Sequence, residues 1–254
     1  MTLDLPAEML LAALLASVRA AAWLMVAPPF SSRAIPLPAK ALLSVAISLP
    51  VLPHAVRGVP SLEIASIVSA VVLQVAVGAA LGFLCYLIFL AVQVAGDLID
   101  VFGGFSLAFA FDPLQQTGSS VFGRLYQWTA LALLLASGGY LIVLRGFLRT
   151  YRTIALDGGL GQGPLLSTLT SGVGQMMLSA VQIAAPLLAV LFLADVALGL
   201  LTRVAPALNA FAMGFPFKIL LTLLLVGAAF VGLPGVVDGL VQRIGHALVA
   251  VTGG

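Results

Sequence analysis

Residues 64–96, IASIVSAVVLQVAVGAALGFLCYLIFLAVQVAG, run for 33 positions without a charged side chain. Such a run reads as a membrane helix, because a β-barrel strand would alternate over about ten residues. At about 1.5 Å per residue it would be about 50 Å long, against a hydrocarbon core of about 30 Å. The excess requires either a bend near Gly78 and Gly82 or a helix that continues into protein. The small-xxx-small spacing of those two glycines permits close helix approach, which favours a packed, continuous helix.

The flanking sequence repeats the theme. Upstream, residues 9–27 form an apolar helix with Arg19 near its middle, and Asp4, Pro6 and Glu8 suit its first turn. Those acids argue against a cleavable export signal, which begins with positive charge. Residues 42–56 form a second helix whose regular part Pro50 and Pro53 should end early. Downstream, a helix is expected over about 125–151, followed by a connection at 157–164 (DGGLGQGP). Two arms then span about 172–204 and 209–233, with kinks threatened at Pro186 and Pro216. Pro234 and Gly235 should precede a short terminal helix. A P-x-K-x-L-L pattern occurs at Pro38–Lys40 and again at Pro216–Lys218, each after an arginine and a proline-rich break; chance and a true repeat both remain open.

Composition agrees with a membrane protein. Of 254 residues, 62% are hydrophobic and 8% charged, with a net charge of +2 and a mean hydropathy of +1.20. Soluble domains carry about 25% charged residues. Disorder, an ordinary cytosolic enzyme and a disulfide scaffold are excluded, and the small net charge gives no support to nucleic-acid binding. Cys85 is the single cysteine, so no internal disulfide or cysteine metal site can form. No cofactor is expected. Gly159, Gly161 and Gly163 lack the Lys-Ser/Thr of a phosphate loop, His54 and His246 belong to no HExxH pattern, and no serine sits in GxSxG. An enzyme is not expected.

The few polar groups are placed with order. Gln93, Asp97 and Asp100 follow i, i+4, i+7 spacing and share one helical face. Arg145, Arg149 and Arg152 repeat it, giving a basic stripe best read as a solvated face near lipid headgroups. Asp195, Gly199 and Thr202 form a third small or polar face beside Arg203, while Arg19 and Lys218 are isolated in apolar surroundings. A charge facing hydrocarbon costs about 2.5–3.5 kcal/mol even on lenient scales. Arg19, Gln93, Asp97, Asp100, Asp195, Arg203 and Lys218 are therefore expected to face protein, a cavity or a partner. Asp195 and Arg203, two turns apart, cannot pair along one helix.

Residues 102–123 change character to glycine, phenylalanine and polar residues. Irregular backbone at membrane depth must be buried in protein or line a water-filled cavity. Bulky rings lining a cavity can shut it by excluding water. The expected architecture is all-α and membrane-associated, with long kinked helices, helical hairpins and a Gly/Phe-rich re-entrant loop.

The segment QVAGDLIDVFGGFSLAFAFDP (93–113) closely resembles the FliR family, and SVFGRLY (120–126), LTRVAPALNAFAMGFPFK (201–218) and RAIPLPAK (33–40) extend the likeness in family order. It departs at Gly138-Gly139-Tyr140, where many members have Gly-His. The resemblance implies a subunit of the flagellar type III export gate, with no enzymatic activity, in the bacterial inner membrane within the flagellar basal body. It implies FliP-like, FliQ-like and FlhB-like partners, membrane lipid, and unfolded export substrates passing through. It also implies a FliP-like part at 1–165 and a FliQ-like hairpin part at 166–254. The loop becomes a plug over 102–123, carried by Phe102, Gly103, Gly104, Phe105, Phe109, Phe111, Asp112, Pro113 and Phe122. The competing expectation is a self-sufficient multipass transporter of a small solute, binding it through Asp97 or Asp195.

Overall fold

The computed structural model describes residues 6–105, 120–158, 162–205 and 210–250, and every regular element among them is helical. Helix α1 (Ala7–Val26) starts after Pro6, with Glu8 in its first turn. Helix α2 (Leu37–Ser48) carries Pro38 at its start, where a missing N–H costs nothing. Pro50 and Pro53 end regular helix at Ser48 as expected. The chain continues as a 3-10 turn (Leu49–Val51), the single turn α3 (Leu52–Ala55) and a second 3-10 turn (Val56–Gly58).

Helix α4 (Ile64–Gly103) is unbroken through Gly78, Gly82 and Gly96. At 1.5 Å per residue its 40 residues measure about 60 Å. Gly78 is there for contact. A β-carbon on it would collide with the backbone carbonyl of Arg19 and lie 2.9 Å from the Ala22 side chain, so α1 and α4 touch backbone to backbone.

Three expectations need correction. The single helix over 125–151 is two, α5 (Val121–Ala136) and α6 (Gly139–Thr153). Gly138 separates them with φ +71, a left-handed conformation in which glycine escapes the penalty other residues meet. The connection expected at 157–164 ends sooner, because α7 (Gln162–Val204) admits Pro164 in its first turn. The separate terminal helix is absent, since α8 (Ala210–Ala250) passes through both Pro216 and Pro234, as α7 passes through Pro186. Membrane helices tolerate proline where neighbours satisfy the freed carbonyl.

The chain divides into two compact units. One comprises Met1–Ile88, Ser137–Val173 and Leu240–Gly254; the other Phe89–Ala136 and Gly174–Gly239. The first is centred on Trp23, whose ring stacks on Phe147 at 4.4 Å with fully buried Leu15, Leu24 and Leu81 also in its core. In the second, Tyr126 packs against Phe230 at 5.2 Å, and Leu191 and Leu233 are fully buried.

Among the described residues, five stretches are long and apolar enough to cross a membrane: Ala7–Val26, Leu37–Gly58, Ile64–Gly103, Leu169–Val204 and Met213–Leu248. The chain is an all-helical membrane protein. The last two bury only 17% of their most apolar windows. Phe192, Leu193, Leu224 and Val231 stand exposed on them.

Candidate functional site

The α4–α5 junction is built to stop one helix and start another. Gly104, with φ +86, follows the last turn of α4, and the Phe105 N–H donates to the Asp100 carbonyl at 3.0 Å. This six-to-one bond with a left-handed glycine is the Schellman motif. On the other side, Ser120 Oγ accepts from the Gly123 N–H at 2.7 Å, and Asp100 Oδ2 accepts from the Phe122 N–H at 3.0 Å. Two orphan donors of α5 are thereby satisfied, and a carboxylate meets the positive end of its dipole. Asp100 is 2% exposed.

Gln93 and Asp97, half-buried, occupy the same face of α4. The face is packed against α5 without slack. A β-carbon on Gly96 would lie 2.6 Å from the Gly123 nitrogen, and one on Gly123 would collide with the Asp97 carboxylate. Asp97 and Asp100 thus meet α5, while Gln93 lies one turn earlier on the same face, half-buried.

The loop is shorter than the expected 102–123. Phe102 and Gly103 belong to the last turn of α4, and Phe122 and Gly123 to the first turn of α5, because the two capping arrangements carry helix inward from both ends. Phe105 and Phe122 meet edge to face at 5.0 Å. Gly103 lies against Thr222, its β-position 2.7 Å from Oγ1, and Gly104 lies against the Phe215 ring. Phe109, Phe111, Asp112 and Pro113 fall outside the described residues.

Lys218, expected to be isolated, is paired. Its Nζ lies 2.8 and 2.9 Å from the two carboxylate oxygens of Asp195. The antiparallel α7–α8 hairpin brings these positions together across 23 residues, a proximity that spacing along either helix cannot show. Asp195 remains 46% exposed and Lys218 14%. Arg203 is exposed as well. Neither Asp195 nor Arg203 is buried within this chain, because a two-helix hairpin has one inner face and leaves the rest uncovered.

Arg19 has the most complete surroundings. It is fully buried. Its Nε donates to Gln74 Oε1 at 2.5 Å, one terminal nitrogen to the Thr150 carbonyl at 3.5 Å, and the other to the carbonyls of Ile154 and Ala155 at 3.0 and 3.2 Å. Its guanidinium carbon stands 4.5 Å from the centre of the Tyr151 ring. Thr150 lies in the last turn of α6 and Ile154 and Ala155 directly follow its end, where a cation complements the helix dipole. Gln74 Nε2 donates onward to the Leu156 carbonyl at 2.9 Å, and the Tyr151 hydroxyl to the Ala16 carbonyl at 2.7 Å. Sequence reasoning missed Gln74 and Tyr151. Gln74 had a signal, as an amide ten residues into a charge-free helix; the carbonyl partners had none.

Among the described residues no group of three or more His, Cys, Asp or Glu could hold a metal. The geometry is that of a scaffold: one buried cation closing a helix end, one carboxylate opening another, and an ion pair across a hairpin.

The profile of the family described as Bacterial export proteins, family 1, matches residues 10–244. The flagellar biosynthetic protein FliR of Escherichia coli K12 is 31% identical over 212 residues, covering 83% of this chain and 81% of that protein. The Bacillus subtilis FliR is 33% identical over 153 residues, and the chain spans 59% of that protein's length, with 59% of this chain covered. The surface presentation of antigens protein SpaR of Salmonella typhimurium is 30% identical over 172 residues, 68% of this chain and 65% of that one. With nearly its whole length matched, from α1 to the last turns of α8, the chain belongs to bacterial export protein family 1, the FliR family.

Proposed function

We propose that this membrane-embedded component of the flagellar and type III export apparatus is a structural and gating subunit of the export channel, through which unfolded flagellar subunits cross the bacterial inner membrane. The observation that carries the reading is the α4–α5 junction. Two helices are terminated by dedicated caps, Gly104 on one side and Asp100 with Ser120 on the other, so the segment between them is held at fixed ends. A plug needs such anchorage, with Phe105 and Phe122 as paired rings at its base.

The α7–α8 hairpin supports a multi-subunit setting. Its helices leave large apolar side chains uncovered, and Asp195 and Arg203 stand among them. Facing acyl chains, those charges would cost several kcal/mol; facing neighbours, they help to specify assembly. In this proposal residues 1–165 form a FliP-like part and 166–254 a FliQ-like hairpin, assembled with FliP-like, FliQ-like and FlhB-like subunits in the flagellar basal body. Co-expression with those subunits, followed by mass measurement of the intact detergent-solubilised particle, tests it. The expected result is one heteromeric particle containing this chain. A stable particle of this chain alone, active in solute uptake, would replace the reading with that of a transporter.

A further inference from the structure

The unit centred on Trp23 gathers cations that are far apart in sequence. Arg145, Arg149 and Arg152 of α6, with His54 of α3, line an open groove of about 350 Å³, floored in part by Tyr151. A second groove of about 270 Å³ shares His54, Tyr151 and Arg152 and adds Arg57. Thus four of the chain's eleven lysines and arginines line two adjoining hollows. None of the four forms an ion pair with a described residue. Asp157, whose backbone N–H reaches the Gly58 carbonyl at 2.9 Å, lines neither hollow.

The charge continues beneath the floor. Arg19 lies 4.5 Å from the centre of the Tyr151 ring, and its hydrogen-bond partners are an amide and backbone carbonyls. A buried cation without a carboxylate adds its field to that of the groove above it, and low-dielectric walls focus that field. The occupant should be anionic.

The position of the groove says which anion. Arg57 ends the apolar span Leu37–Gly58, and Arg152 stands at the last turn of α6. Along α2 and into the 3-10 turn that follows it, Leu42, Val45 and Leu49 are exposed at i, i+3, i+7 and form an apolar stripe leading toward His54 and Arg57. Cations at the end of an apolar stripe lie where acyl chains give way to headgroups, a depth at which anionic lipids are attracted by about 1 kcal/mol per basic residue. We propose that this groove binds the phosphate-bearing headgroup of an anionic phospholipid, whose acyl chains lie along the exposed face of α2.

The test uses the full chain, with its co-purifying subunits, reconstituted in nanodiscs of phosphatidylcholine and phosphatidylglycerol. After a delipidating detergent wash, retained lipid is quantified by mass spectrometry. The protein should retain phosphatidylglycerol over phosphatidylcholine, and the exposed triple substitution R145Q/R149Q/R152Q should lower that retention about a hundredfold. R145K/R149K/R152K should keep most of it, and R33Q, outside the groove, should leave it unchanged. Retention should weaken in high salt, while inorganic phosphate should not displace the lipid. Equal retention of the two lipids, or undiminished phosphatidylglycerol on the triple glutamine protein, would overturn the proposal. Displacement by inorganic phosphate would assign the groove to a free anion, and cross-linking of an acidic subunit through Arg149 in place of lipid would assign it to a protein contact. Either result also overturns it.

Discussion

A fully buried arginine is stable only when its donors are met, and Arg19 shows how a chain with few charges does so. Four acceptors and one aromatic face surround it. The consequences for mutation are graded. Gln74→Leu removes both the acceptor at Nε and the donor to Leu156, and should cost about 1–3 kcal/mol. Tyr151→Phe loses only a neutral hydrogen bond to Ala16 and should cost about 1 kcal/mol. Denaturant titration of the detergent-solubilised proteins should rank them in that order. The sequence made Arg19 conspicuous, since a charge amid leucine and alanine demands partners. It could not show that most of those partners are peptide carbonyls, because every residue has one. The pairing of Asp195 with Lys218 was hidden for another reason: it depends on the register of a hairpin.

At the scale of elements, glycines in left-handed conformation set the helix boundaries. At Gly138 a β-carbon would meet nothing within 4 Å, whereas at Gly104 it would press on the Phe215 ring at 3.3 Å. Gly138→Ala should therefore cost only backbone strain, about 1 kcal/mol. Gly104→Ala should cost more, by the packing that Phe215 must yield. Thermal unfolding of the two variants measures the difference. The long charge-free run made α4 legible, and its lack of a break follows from Gly78, which serves close packing and not a turn. The same signals misled elsewhere. Gly138 lies inside an apolar pattern that reads as continuous helix, and Pro234-Gly235 reads as a stop, yet α8 passes through it. A glycine's φ and a proline's neighbours are tertiary facts, which local pattern does not contain. In the α7–α8 hairpin, Asp195→Leu leaves Lys218 without its carboxylate among apolar side chains. The double variant D195L/K218L removes both charges. Assembly with partner subunits, followed by co-purification, should suffer more in the single than in the double variant if the pair is structural; the exposed ion pair itself is worth at most about 1 kcal/mol.

For the whole molecule, the division into two units places the Arg19 cluster in one and the capped α4–α5 junction in the other. Each is a fixed arrangement, and each serves a part of the chain that sequence alone marked as unusual: the basic stripe of α6 and the Gly/Phe-rich loop. The membrane class and the family were legible from composition and from residues 93–126 and 201–218. The caps that anchor the loop were not, because in sequence Asp100 is only a polar group that must face protein, a cavity or a partner, and the Phe122 N–H that it caps is brought to it by the fold. The most direct measurement is ionic leak through the assembled export complex after deletion of residues 106–119, which spares both caps. A gate closed by this loop should leak ions across the membrane while assembly, judged by co-purification, stays intact. A complex that assembles normally and remains sealed would contradict the gating role of this subunit.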